Sequence, residues 1–363
     1  TNNFINEVTG SGYIGPELKE EQLDKMNGDI LTGTLRSIGG GVYIRSKNLF
    51  YYAGIEHQQI LDSRIGSELA RLLMLGNKPF AGTTLEVPAS DYTNVYFNRL
   101  VGGVGYTLQK ESASHGFFAL AGITSGQNYD QIHVDQASLY THPDGDYLDL
   151  SVQANTQVSD TVWADVFDFN GFGLTFDLNY SLHKDNDYYA GITVKNIGFI
   201  NWNGNTFTAS VDTAFRFEGV SMDTTGTGGN VPDDYSYKNL RRILFKNPES
   251  APFSKGTPII LNVTGGKYFA DGKFYAGINA FIYPSLNANY KVELFGTWNH
   301  RSVFQLTPIV AFGAYQQVHF GLAAGLKLGK SFRVQAGSSY LDSFFIGNHP
   351  AGRGGFVRLV YIR

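Results

Sequence analysis

Long stretches in which apolar and polar residues alternate constrain this chain more than any other feature of its sequence. Between 206 and 219, the odd positions 207 to 217 carry Phe, Ala, Val, Thr, Phe and Phe, whereas the even positions are mainly polar. The segments 147–155, 172–179, 290–294 and 332–336 alternate in the same way. Because successive side chains of a β-strand point to opposite faces, each segment predicts a strand with one apolar and one polar face.

Short polar turns separate these strands. Asp-Gly at 271–272, Asn-His at 299–300 and Gly-Lys at 329–330 are examples, and such turns between alternating strands indicate antiparallel hairpins. The pattern predicts about 14 strands, with a range of roughly 14 to 16. Many of them approach the ~9–11 residues that a tilted strand needs to cross a bilayer.

Two all-β architectures accommodate such strands, a soluble sandwich or propeller and a transmembrane barrel. The strands exceed the ~5–6 residues usual in globular sheets, and no repeat of ~40–50 residues marks propeller blades. Aromatic pairs stand near strand ends at 51–52, 117–118, 188–189 and 344–345, where the aromatic girdles of a membrane barrel lie. We therefore predict an all-β fold, a transmembrane antiparallel β-barrel in the outer membrane that contacts its lipid and lipopolysaccharide.

The predicted organisation is a single barrel over 31–363, preceded by a polar segment 1–30 that is periplasmic or luminal. The segment 61–75 has apolar residues at helical spacing, and we expect it to be a short helical insert that caps or plugs the barrel. The segment 220–256 is the longest irregular stretch. Because outer-membrane barrels have short periplasmic turns and longer outside loops, 220–256 is predicted to be extracellular.

Counting hairpins backward from a C-terminal strand that runs into the periplasm places the connections 158–171 and 196–205 on the periplasmic side. Both connections contain aromatic residues among polar neighbours, which is typical of protein-binding hot spots. Burial of these rings against the barrel mouth is the alternative. The partner-binding candidates are Trp163, Phe167, Phe169, Phe199 and Trp202.

The polar faces of the strands supply candidates for the barrel interior. Such charges either line water or pair across a packed interior, and this difference decides whether a barrel is a pore. The sequence leaves both possibilities open. The lumen-facing candidates are Asp149, Asp177, Asp212, Arg216, Glu218, Lys291, Glu293 and Arg333.

Motifs for catalysis and for metal or cofactor binding are missing from the sequence. There is no cysteine, the eight histidines are scattered, and neither a Gly-x-Ser-x-Gly motif nor a P-loop occurs. The acidic turn 144–146 has oxygen ligands suited to calcium, but acidic hairpin turns of this kind usually bind nothing. We expect a protein that is not an enzyme and has no metal or cofactor. The net charge of −4 gives no general attraction to nucleic acid.

Several stretches resemble an uncharacterised family of Bacteroidota outer-membrane proteins that carries only an unknown-function label. They are ITVKNIGFINWNGNTF (192–207), NKPFAGTTLEV (77–87), LYTHPDGDYLDL (139–150) and FINEVTGSGYIGPELKEEQLDKMN (4–27). The layout is more distantly similar to FadL-like barrels, including PorV of type IX secretion. This resemblance implies about fourteen strands, an N-terminal segment near or within the lumen, and either uptake of apolar solutes or a scaffold role in secretion.

Two functions follow from these expectations. The first is an accessory or scaffold subunit of an envelope complex, in secretion or outer-membrane assembly, with envelope proteins as partners. This function predicts an occluded interior and an apolar patch on the connections. The alternative is a FadL-like transporter or channel for hydrophobic or small solutes. A transporter predicts a continuous lumen or a lateral gap, with 61–75 and the N-terminal segment as a movable hatch.

Overall fold

A computed structural model shows how the chain folds. It describes residues 28–110, 112–159, 169–184, 187–218, 250–301, 303–314, 316–329, 331–345 and 354–361, together with Lys19. Most of the N-terminal segment 1–30 and most of 220–256 therefore lie outside the described residues.

The described residues form seventeen strands and little helix. The helices are α1 (Ser67–Leu75), a 3-10 turn (Lys78–Phe80) and α2 (Asp342–Phe345). The strands are β1 (Ile30–Ser46), β2 (Leu49–Ile65), β3 (Thr84–Val87), β4 (Ser90–Lys110), β5 (Ala113–Thr141), β6 (Leu148–Ser159), β7 (Gly171–Lys184), β8 (Tyr188–Trp202), β9 (Thr206–Phe217), β10 (Phe253–Gly256), β11 (Ile260–Phe269), β12 (Phe274–Ile282), β13 (Tyr290–His300), β14 (Phe304–Gly313), β15 (Gln316–Leu328), β16 (Phe332–Ser338) and β17 (Phe356–Tyr361).

All seventeen strands belong to one sheet, and each strand pairing within it is antiparallel, so the predicted all-β antiparallel fold is confirmed. Thirteen strands follow one another in a single row: β1, β2, β4, β5, β7, β8 and β11 to β17. The predicted number of about 14 strands is wrong. The count is higher because four long strands are each interrupted and appear as two: β3/β4, β6/β7, β8/β9 and β10/β11.

The interruptions show why hairpin counting fails for two connections. β5 pairs with β7 up to Gly126 and with β6 from Tyr129 onward, so β6 and β7 run in the same direction. β8 and β9 also run in the same direction, because β8 pairs with β7 and β9 pairs with β6. The connections 158–171 and 196–205 are therefore not hairpin turns, and 196–202 belongs to β8 itself.

The ends of the sheet follow from these directions. One end holds the short hairpins β1–β2, β4–β5, β7–β8, β11–β12, β13–β14 and β15–β16, and the end of β17; we call it the short-hairpin end. Since β9 continues the direction of β8, the chain leaves β9 toward the opposite, distal end. The extracellular position expected for 220–256 stays a prediction, because 219–249 lie outside the described residues. The last part of 220–256 is strand β10.

The wall formed by the sheet is uneven in height. β5 has 29 residues, which is ~95 Å of extended strand, whereas β12 has 9 residues, or ~30 Å at about 3.3 Å per residue. The far half of β5, residues 128–141, pairs with β3, β4 and β6, and β6 pairs with β9. We call β3, residues 128–141 of β5, β6 and β9 the distal sheet.

The helix expected over 61–75 begins later than predicted. Residues 61–65 complete β2, where they pair with β1 and β4, and α1 starts at Ser67 after Gly66. Ala70 and Met74 of α1 are buried, whereas Leu73 is exposed. Strand pairing to two neighbours outweighs helical spacing at 61–65. No described helix has the length and apolar content needed to cross a membrane.

The two faces of the sheet are reversed relative to a soluble protein. In β7, Phe176 and Leu178 are 50% and 52% exposed, while Thr175 and Asp177 are 0% and 4% exposed. The alternation is the one predicted from the sequence, and the apolar face is the outer one, as a transmembrane barrel requires. The polar residues point to the inner, concave side, where the buried contacts of the molecule are made.

Candidate functional site

A buried ion cluster lies on the inner face where β2, β4, β7 and β8 meet. The side chain of Arg99 is fully buried, and its Nη2 donates to Asp177 Oδ1 at 2.8 Å. Its Nη1 donates to Glu56 Oε2 at 3.2 Å and to Asn196 Oδ1 at 2.7 Å, and its Nε donates to Thr175 Oγ1 at 3.0 Å. One guanidinium thus holds four strands together, with two carboxylates close to it.

Asn196 connects this cluster to the next strands. Its φ of 61° is left-handed, a conformation that asparagine tolerates better than most residues. In this conformation the backbone N–H of Asn196 donates to Asp177 Oδ1 at 2.8 Å, and the carbonyl oxygen of Asn196 accepts from Thr257 Oγ1 at 2.6 Å. The side-chain amide donates to Gln58 Oε1 at 2.9 Å. The β-bulge in β8 is therefore fixed by polar contacts on the inner side.

An aromatic core fills the interior on the distal side of the ion cluster. The ring centroids of Tyr129 and Trp202 are 5.5 Å apart, and those of Tyr129 and Phe253 are 5.4 Å apart. Leu286, from the β12–β13 loop, packs against this core. Its buried members are Ile60, Val95, Phe97, Tyr129, Ile200 and Trp202.

The loop between β12 and β13 crosses the interior. Asn287 donates from its backbone N and its Nδ2 to Asp62 Oδ2 of β2, at 2.9 Å and 2.7 Å. β2 and β12 are six strands apart along the row, so this contact requires a strongly curled sheet. The loop and the aromatic core lie together on the inner side of the sheet, since Leu286 packs against the core. We call the core and the loop 283–289 the plug.

Two of the lumen-facing candidates form a second polar cluster beside the plug. Lys291 Nζ lies 2.6 Å from Glu293 Oε1, which also accepts from Ser339 Oγ at 2.7 Å. Asp177 belongs to the Arg99 cluster. Arg333 also lies on the inner face, at the short-hairpin end, because it is in register with Lys327 and both alternate with outward apolar residues.

The remaining four lumen-facing candidates lie in the distal sheet, where they are exposed. Arg216 donates from Nε and Nη2 to Asp149 at 2.8 Å and 2.9 Å, and its guanidinium lies 3.8 Å from the ring centroid of Tyr147. The hydrogen bond from Arg216 holds the pKa of Asp149 below its usual range. Asp212 is on the same strand as Arg216, and Glu218 follows the end of that strand. β6 and β9 extend past the row, and the lumen-facing position of these four residues stays a prediction.

The partner-binding candidates are dispersed. Trp202 is 1% exposed and lies inside the aromatic core. Phe199 faces outward, in register with Leu174. Phe169 is 62% exposed just before β7. Trp163 and Phe167 lie outside the described residues.

Sequence reasoning missed the centre of the site. Arg99, Glu56, Asn196, Asp62 and Asn287 were not among its candidates, although they hold the interior together. A usable signal is present for Arg99, since it is the single charge in FNRLVGGVGY, a glycine-rich apolar run (97–106). The contact between Asp62 and Asn287 spans 225 residues, and no local pattern reports it.

One group of side chains has the ligand types of a metal site. His142, Asp144 and Asp146 have ligand atoms within 4.8 Å of one another in the turn before β6. The two carboxylates are exposed, and the ring of His142 packs on Tyr147 at 4.7 Å. This arrangement is that of an ordinary acidic turn, and it points to no ligand.

Comparison with known proteins places the chain in a family. A family model described as a family of unknown function, DUF5723, matches residues 17–336. The chain belongs to this family. Among curated proteins, no sequence matches it.

Solved structures add little to the DUF5723 assignment. A triple mutant of the Rhodopseudomonas blastica porin is 10% identical, with 68% of this chain and 86% of the porin chain covered and a TM-score of 0.21. A second mutant of the same porin is 9% identical, with the same coverage and TM-score. Because this TM-score is low, the functional interpretation of this DUF5723 chain depends on its own geometry.

Proposed function

We propose that this chain is a non-enzymatic outer-membrane β-barrel, closed by its own plug, that serves as an accessory or scaffold subunit of an envelope complex. The observation that carries the proposal is an apolar outer face in register across neighbouring strands, with polar clusters and an aromatic core on the inner side. In this proposal, a membrane covers the apolar outer face. The plug closes the interior, so the protein does not act as a pore.

The apolar outer surface is in register across neighbouring strands. One line of paired residues crosses five strands, and each of its members is exposed by at least 40%: Ile55, Leu100, Ile123, Leu174 and Phe199. The outer face of β2 is apolar from Leu49 to Ile55, which is ~23 Å at about 3.3 Å per residue. At the ~35–45° tilt of barrel strands, this length covers ~16–19 Å of the ~25 Å apolar band of outer-membrane barrels.

A polar border follows this band on the distal side. His57 follows Ile55 by two residues on the outer face of β2, and its Nδ1 lies 2.8 Å from Asn98 Oδ1. Gln59, the next outward residue, donates to the hydroxyl of Tyr96 at 2.7 Å. An exposed apolar surface of this extent needs a covering, since monomeric soluble proteins rarely expose more than a few hundred Å² in one patch. A bilayer is the covering that surrounds a protein on all sides.

Closure of the row into a barrel is part of the proposal. β1 and β17, the two ends of the row, share no pairing among the described residues, and closure brings these two strands together. The contact from Asp62 to Asn287 across the concave side requires the same curvature. In lipid, unpaired backbone groups at an open edge cost several kcal/mol each, so a membrane location favours closure.

The distal sheet supplies the surface for partners in this proposal. Even at a tilt of ~45°, the ~95 Å of β5 exceeds the ~30 Å hydrocarbon core about twofold. Phe215 of β9 and Phe169 are exposed apolar rings outside the apolar band. Exposed aromatic residues in polar surroundings are typical anchors of protein interfaces.

Purification in mild detergent from the native membrane, followed by mass spectrometry, tests the scaffold function. We expect a stoichiometric envelope protein with the wild type and its loss from the double variant Phe169→Ala/Phe215→Ala. Phe176→Ala, which removes an equally exposed ring inside the apolar band, is the matched control and should retain the partner. A wild-type protein that purifies alone would overturn the scaffold function.

A gated transporter is the second candidate, and a specific feature of the plug favours it. The loop 283–289 is bound to the opposite wall by Asp62 through hydrogen bonds, which open more readily than a packed apolar seal. Asp62→Ala should then raise single-channel conductance in planar bilayers, whereas Asp146→Ala, in an exposed turn, should not. Equal conductance of both variants and the wild type would exclude this gate.

A further inference from the structure

A cavity of about 430 Å³ lies on the inner face of β13 to β17, at the short-hairpin end. It is separate from the plug and from the distal sheet. Three cations and three amide side chains point into it from neighbouring strands: Lys327, Arg333, Arg358, Asn299, Gln305 and Gln335. Gly325 and Gly272 lie in its wall and leave the space open.

The strand register places like charges next to one another in this cavity. Lys327 is the direct cross-strand partner of Arg333, and like charges directly opposite each other destabilise a sheet. Arg358 pairs with Gln335, two residues from Arg333 on the same face. The diagonal spacing of such positions is about 7–8 Å, so all three cations can reach one ligand.

Among the described residues, the cavity wall contains no acidic side chain, which distinguishes these cations from Arg99 and Lys291. Arg99 lies between Glu56 and Asp177, and Lys291 contacts Glu293. Within the described part of the chain, none of the three cavity cations forms an ion pair. Neighbouring carboxylates thus neutralise Arg99 and Lys291, whereas the three cavity cations keep their positive charge.

We propose that this cavity binds a small anion that carries a phosphate or carboxylate group. Two guanidinium groups offer the paired N–H donors that match the oxygens of such groups, and the three amides can orient the rest of a ligand. The volume lies within the ~300–1,000 Å³ of small-molecule sites. The anion would remove the repulsion between Lys327 and Arg333. This site goes beyond the proposed function and does not depend on a scaffold role.

Calorimetric titration of the full-length detergent-solubilised protein tests the site. The probes are inorganic phosphate, succinate and, as the lipid source of the same chemistry, phosphatidylglycerol in mixed micelles. We expect saturable binding of at least one probe by the wild type. Arg333→Gln/Arg358→Gln should weaken binding by about tenfold or more per arginine, because a hydrogen bond to a charged group contributes roughly 1.5–3 kcal/mol.

Two comparisons make the result decisive. Arg71→Gln/Arg216→Gln removes the same charge from α1 and the distal sheet and should bind like the wild type. Gly325→Leu fills the cavity without changing its charge and should abolish binding. This variant keeps the proposal testable if the double arginine variant does not fold. Binding of the lipid alone identifies a headgroup as the ligand, and binding of phosphate or succinate identifies a free solute. Absence of binding, or equal binding by all variants, would overturn the proposal.

Discussion

Replacing Arg99 with methionine removes the cation at the centre of the ion cluster and leaves two carboxylates behind. Asp177 is almost fully buried, and the side chain of Glu56 is only 15% exposed, so water cannot replace the lost guanidinium around both. Removing one member of a buried ion pair typically costs about 3–5 kcal/mol. Because Glu56 has some access to solvent, we expect the lower part of this range, about 3–4 kcal/mol.

The assay is urea unfolding of the protein in lipid vesicles, followed by the heat-modifiable mobility of the folded form. Arg216→Met serves as the control, since it breaks an ion pair of similar geometry that is exposed on the distal sheet; we expect no measurable loss. A triple variant, Arg99→Met with Glu56→Gln and Asp177→Asn, should recover about half of the lost stability or more, as neutralised clusters often do. Equal stability of Arg99→Met and Arg216→Met would refute the reasoning.

Three further predictions follow from the packing of the wall, the plug and the distal sheet. Gly173→Ala should prevent assembly of the folded form on gels, because a Cβ there would collide with the carbonyl oxygen of Phe199. Trp202→Ala should lower the unfolding free energy by about 3–5 kcal/mol, as for other buried aromatic rings, and an unchanged urea midpoint would contradict this. The pKa of Asp149 is lowered by Arg216, so their pair stabilises the distal sheet above the unfolded pKa of ~3.9 and is lost as the pH falls through the lower folded pKa. Proteolysis of Asp149→Asn and wild type should therefore differ at pH 7 and converge at pH 2.

The sequence predicts the strands and their two faces better than it predicts their connections. The alternation in 172–179 appears unchanged in β7, because strand geometry fixes side-chain direction with a period of two. Hairpin counting fails at 158–171, because a strand that is interrupted and resumes in the same direction looks like a turn in the sequence. Local patterns carry no information on direction across such a break.

The interior was less accessible to sequence reasoning for a different reason. Lys291 and Glu293 were recognised because their polar character alternates with apolar neighbours. Asp149 and Arg216 show the same alternation but lie in the distal sheet. The alternation alone does not report where the row of strands ends. The plug depends on contacts such as Asp62 to Asn287, and side chains this far apart in sequence meet only through the fold.

Site-directed spin labelling along β7 tests the central claim, that the apolar outer face lies in a bilayer, most directly. The chain has no native cysteine, so single cysteines can be introduced at 172, 174, 176 and 178 and at the inward positions 175 and 179 without background labelling. In vesicles, we expect labels at the first four positions to be accessible to oxygen in the lipid and protected from an aqueous nickel reagent, and labels at 175 and 179 to show low lipid exposure. High accessibility of the outer labels to the aqueous reagent would contradict the account.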